Sequence, residues 1–90
     1  MVRYYLRFTG RVQGVGFRFF VNMNAERYHL TGWVKNMYDG SVTAEVQGTR
    51  LQVQQFLETI KYGNRFVRVD DIEVEESPLC ENEKGFRVRY

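Results

Sequence analysis

The sequence predicts one α+β domain over residues 1–90, in which two helices cover one face of a single antiparallel or mixed sheet and the elements run in the order βαββαβ. Two segments repeat their apolar residues at helical spacing. The segments around them alternate with period two, and the alternating pair between the helices is joined by Asp39-Gly40. With 43% hydrophobic and 16% aromatic content in 90 residues, one modest core is affordable in surface terms, since a chain of this size buries about 60–65% of what its unfolded form exposes.

Residues 3–9 place Tyr4, Leu6 and Phe8 on one side and Arg3, Tyr5 and Arg7 on the other, the pattern of a half-buried first strand. Gly10-Arg11-Val12-Gln13-Gly14-Val15-Gly16 reads as a loop, because its three glycines weaken any regular element and let the backbone turn tightly. From Phe17 the stripe Phe17, Phe20, Val21, Ala25 and Tyr28 predicts a first helix ending near Tyr28. Thr31–Tyr38 and Ser41–Gln47 read as the strands of a hairpin, with Asp39-Gly40 supplying the positive φ angles of a two-residue turn.

Thr49-Arg50-Leu51-Gln52 has the form of a capping box, in which the threonine hydroxyl accepts from the N–H three residues on and the glutamine reaches back. A second helix therefore starts there. Val53, Phe56, Leu57 and Ile60 give it one apolar face, and Lys61 followed by Gly63 gives it a cation and a stop at its negative end. In the next strand Val67 and Val69 share one parity while Ile72 and Val74 share the other, so a bulge is expected near Asp70-Asp71. Pro78 ends that strand, and Gly85–Tyr90 reads as a short final strand or a tail docked on the sheet edge. Two helices separated by a hairpin, packed on one sheet, make the ferredoxin-like arrangement.

No apolar stretch approaches the roughly 18 residues that span a bilayer, and the first residues alternate where a secretory leader would be continuously apolar. A cytoplasmic monomer without membrane association is expected. Cys80, the lone cysteine, can form neither an internal disulfide nor a multi-thiolate metal site. A net charge of +2 is small for a nucleic-acid binder. Arg3, Arg7, Arg11 and Arg18 precede every acidic residue, whereas Asp70, Asp71, Glu73, Glu75, Glu76, Glu81 and Glu83 follow one another without an intervening base. Apart from Arg18, these charges are expected to form two solvated surfaces of opposite sign.

Every helix begins with N–H groups that have no partner inside the helix, and a short polar side chain normally accepts from one of them. The second helix has Thr49. Before Phe17 stand only Gly14, Val15 and Gly16, none with a side-chain acceptor. Glycines let backbone N–H groups gather into a concave nest, the helix dipole adds positive charge, and a phosphate placed there satisfies several donors together; water is the alternative acceptor. Arg18 sharpens this reading. In the first helical turn a cation opposes the positive end of the dipole unless an anion intervenes, and its planar fork can hold two phosphate oxygens.

The run Gly10-Arg11-Val12-Gln13-Gly14-Val15-Gly16-Phe17-Arg18 resembles the first acylphosphatase signature, and Gly32-Trp33-Val34-Lys35-Asn36 with Gly40, Val42 and Gly48 resembles the second. The resemblance spans the whole chain. It implies hydrolysis of a carboxyl-phosphate bond to a carboxylate and inorganic phosphate, with no metal and no organic cofactor. By position it makes Arg18 and Asn36 the catalytic pair, Arg18 gripping phosphate and Asn36 orienting water. It makes Gly10, Arg11, Val12, Gln13, Gly14, Val15, Gly16 and Phe17 the backbone cradle. His29 departs from the pattern, since relatives commonly close the first helix with glycine, and histidine tolerates the left-handed conformation less well.

That chemistry asks little of a protein. A carboxylate, whose conjugate acid has a pKa of about 4, leaves without needing a proton. What remains is to position water and neutralise charge on the phosphoryl oxygens. His29 lies some ten residues past Arg18, roughly 15 Å along a helix rising ~1.5 Å per residue, too far to serve as general base. An RNA-binding module shares the βαββαβ order and could use Tyr5, but Ser41–Gln47 lacks the basic, glycine and aromatic pattern that stacks bases. A phosphate sensor would keep Arg18 and the loop without needing Asn36.

Overall fold

The computed structural model describes residues 1–90 and contains β1 (Val2–Arg11), α1 (Phe17–Arg27), β2 (Thr31–Asn36), β3 (Val42–Gly48), α2 (Arg50–Tyr62), β4 (Arg68–Glu76) and β5 (Phe86–Arg89). The strands form one sheet in the order β4-β1-β3-β2-β5, antiparallel throughout except for β5, which runs parallel to β2. The final segment is thus an edge strand, and the sheet is mixed. No helix is long and apolar enough to cross a membrane.

Alternation along the strands sends Leu6 and Phe8 of β1, Val34 of β2 and Val42, Ala44 and Val46 of β3 to a single face, where all six are buried. Both helices cover that face, α1 through Phe17, Val21 and Ala25 and α2 through Val53, Phe56 and Ile60. Phe8 and Phe17 meet edge to face with ring centres 5.2 Å apart, which fixes the start of α1 against β1. Burial of each such side chain is worth about 1.5–3 kcal/mol relative to exposure, so the site at this helix start sits on a rigid support.

β1 runs further than its alternation suggests. Gly10 and Arg11 belong to the strand and pair with Val69 and Arg68, so the loop begins at Val12 and not at Gly10. Thr9 stands opposite Asp71 and Gly10 opposite Val69, which leaves Asp70 as the extra residue of the expected bulge. Gly10 takes φ 127°, and a Cβ there would run into the Arg68 carbonyl oxygen. Its glycine serves this close approach.

α2 begins with the capping box, Thr49 Oγ1 accepting from the Gln52 N–H at 3.2 Å and Gln52 Oε1 from the Thr49 N–H at 2.9 Å. α1 ends in a left-handed turn at His29, φ 60°. The Leu30 N–H donates to Ala25 O at 2.8 Å and the His29 N–H to Glu26 O at 3.0 Å, the paired bonds of a Schellman close.

The expected separation of charge fails for two arginines: β4 lies antiparallel to β1 and sets Glu73 beside Arg7, and their other acidic partners come from β3 and from the β2–β3 and β4–β5 connections. Arg7 donates to Glu73 and to Asp39, each at 2.8 Å. Arg3 is 6% exposed and donates to Glu45 and Glu83, each at 2.7 Å. Burial works most strongly against the Glu83 charge, but Arg3, Thr31 and the Arg89 charge together outweigh it and hold the carboxyl below its ordinary value.

Candidate active site

The loop between β1 and α1 turns on Gly14 and Gly16, both left-handed at φ 73° and 76°, with Gly16 the N-cap of α1. No side chain caps this helix. None of the backbone N–H groups from Val12 to Phe19 donates to a backbone or side-chain acceptor of the protein. Helix geometry explains only the free donors of the first turn; those of the preceding loop are additional. A Cβ at Gly14 or Gly16 would meet nothing within 4 Å, so these glycines serve backbone conformation and not packing.

Val12, Gln13, Gly14, Gly16, Phe17 and Arg18 border a cleft of about 330 Å³, and Asn36 at the end of β2 borders it from the sheet. Arg18 makes no ion pair with any carboxylate. Its Nη1 donates to the Arg89 carbonyl at 3.0 Å and its guanidinium carbon lies 4.6 Å from the centre of the Tyr90 ring. Both partners are neutral, so the side chain is held in place with its charge uncompensated. The Oδ1 of Asn36 is buried and has no hydrogen-bond partner in the protein. Such an atom costs about 1–3 kcal/mol unless a donor reaches it.

Gln13 fastens the loop to the β2–β3 connection, its Nε2 donating to the carbonyls of Met37 and Ser41, each at 2.8 Å. Asp39 holds that connection from inside. Its Oδ1 accepts from the Ser41 N–H at 2.9 Å and the Ser41 hydroxyl at 2.6 Å. The Ser41 hydroxyl first, and then Arg7, keep the Asp39 carboxyl well below the usual carboxylate range.

Of the residues expected in the cradle, Gly10 and Arg11 stand apart from the cleft, in the β1–β4 ladder, and the Val15 side chain packs partly against the core. Phe17 is 1% exposed, so only its backbone can face a ligand. His29 closes the opposite end of α1 and is absent from the cleft. Sequence reading did not assign the parts played by Gln13 as a fastener or by Arg89 and Tyr90 as supports for Arg18.

The acylphosphatase sequence profile matches residues 4–88. The chain belongs to the acylphosphatase family. The acylphosphatase of Clostridium acetobutylicum is 47% identical over 90 residues, covering 100% of this chain and 99% of that protein. The crystal structure of acylphosphatase from Bacillus subtilis superposes with a TM-score of 0.94 at 44% identity, covering 100% of both chains. An acylphosphatase from Coxiella burnetii superposes at a TM-score of 0.88 and 35% identity, over 98% of this chain and 92% of that one. Full-length agreement of this kind makes the protein an acylphosphatase in activity, a hydrolase of acyl phosphates with the ferredoxin-like fold.

Proposed function

We propose that this acylphosphatase grips the phosphoryl group of its substrate with the free amides between Val12 and Phe19 and the fork of Arg18, and that Asn36 aligns the attacking water. The observation that carries this reading is the meeting of two unsatisfied features in one cleft, amides without acceptors and an arginine without a counter-ion, with Asn36 on its border. The amides and the guanidinium neutralise charge on the equatorial oxygens as the bond to the carboxylate breaks. The Asn36 side-chain amide hydrogen-bonds the water, without taking its proton, and holds a lone pair toward phosphorus. The oxygen–phosphorus bond forms, the carboxylate leaves with its electron pair, and the water proton passes to the phosphate itself. No residue need act as general acid.

Asn36→Ala tests the division of labour. It should lower kcat by about 10²–10³, as loss of one preorganised hydrogen-bonding group does, while inhibition by inorganic phosphate stays near wild type. Equal loss of phosphate binding would reassign Asn36 to the cradle. Base stacking on the open sheet face is disfavoured, because the Arg89 guanidinium lies 4.8 Å from the centre of the Trp33 ring and Tyr5 meets Trp33 edge-on at 6.5 Å. We propose further that it acts as a monomer on freely diffusing acyl phosphates in the cytoplasm.

A further inference from the structure

The cradle uses only part of its cleft. The remaining border includes Phe19, Val88 and Tyr90. Tyr90 already lends its ring face to Arg18, and Val88 is half-buried against the core. Phe19 is different. It follows Arg18 directly, and it is 68% exposed, while Phe17 and Phe20 on the same helix are buried in the core. Its ring is free to meet whatever is attached to a phosphoryl group held by Arg18.

We infer that Phe19, together with Val88 on the border of the same cleft, is the wall of an acyl subsite and sets a preference for bulky apolar acyl groups, aromatic ones above all. Arg18 is the only charged side chain bordering the cleft and is committed to phosphate, so a charged acyl group finds no partner of opposite sign there. An aromatic acyl group gains apolar contact and an offset or edge-on ring pairing with Phe19, whereas acetyl reaches too little of the ring to benefit. This inference rests on the phosphate placement proposed above.

The test compares kcat/KM for benzoyl phosphate and acetyl phosphate in wild type, Phe19→Ala and Phe19→Leu, together with inhibition by inorganic phosphate. An enclosed apolar pocket distinguishes one methylene by about 10–200-fold, and a subsite open on one side should sit at the low end. Phe19→Ala should therefore reduce the benzoyl-to-acetyl ratio about tenfold and Phe19→Leu should fall between, while phosphate inhibition should stay within about twofold of wild type in both, because these side-chain changes leave the backbone amide in place. An unchanged ratio, or equal loss for both substrates, would overturn the inference while leaving the cradle intact. Failure of inorganic phosphate to compete with substrate in wild type would overturn the cradle itself, and the subsite with it.

Discussion

Arg18→Lys keeps the charge and removes the plane, which makes it the sharpest perturbation of the site. A guanidinium carries five donors in a fixed fork, and one of them is already engaged by the Arg89 carbonyl at 3.0 Å. Lysine has three donors on a point charge and no flat face to lay on Tyr90, whose ring centre is 4.6 Å from the arginine carbon. If the ammonium keeps the Arg89 bond it loses at least one charge-assisted bond to phosphate, worth about 1.5–3 kcal/mol, together with a cation–π contact of about 0.5–2 kcal/mol. The sum, about 2–5 kcal/mol, corresponds to a loss of roughly thirty-fold to several thousand-fold in kcat/KM. The assay is ultraviolet detection of benzoyl phosphate hydrolysis, with circular dichroism melts to confirm that the partly exposed substitution leaves the fold unchanged. A lysine variant within about threefold of wild type would show that a monopole suffices and that no bidentate grip operates.

Three further substitutions probe the frame around the site. His29→Gly should stabilise the protein by about 0.5–1 kcal/mol, since a side chain in the left-handed region costs about 1–2 kcal/mol and glycine returns roughly half of that as unfolded-state entropy. Calorimetry should then show a Tm rise of about 2–8 °C with activity unchanged. Gly10→Ala should do the reverse, because its Cβ would meet Arg68 O and Asp70 N of the β4 backbone; a loss of about 2–4 kcal/mol in urea melts is expected, and a neutral result would contradict the bulge geometry. Asp39→Asn tests the hairpin anchor through pH. Because folding depresses this carboxyl, its contribution is complete above the ordinary aspartate value of about 3.9 and is lost as pH falls below it. The Tm deficit of the variant should be full at neutral pH and shrink in acid.

Local signals in the chain were the ones that could be read without coordinates. Thr49 and Gln52 satisfy each other within one helical turn, so three residues of spacing suffice to place that cap. The change of parity between Val69 and Ile72 likewise announces the bulge, because a sheet with one buried face cannot absorb such a change otherwise. Only resemblance pairs Arg18 with Asn36, and both border the same cleft. Gly10 misled because a glycine in sequence does not say whether its conformational freedom serves a loop or a neighbouring backbone. The pairing of Arg3 with Glu83, the parallel addition of β5 to β2, and the hold of Arg89 and Tyr90 on Arg18 are contacts between residues far apart in the chain. Nothing periodic encodes them.

The cradle is tested most directly by titrating inorganic phosphate into ¹⁵N-labelled protein and following amide and guanidinium resonances. Saturable shifts should concentrate on the backbone amides from Val12 to Phe19 and on the Arg18 side chain, with the same dissociation constant as competitive inhibition of turnover. Loop amides that stay still at phosphate concentrations that inhibit the enzyme, with the largest shifts near Arg50 or another cation instead, would contradict it.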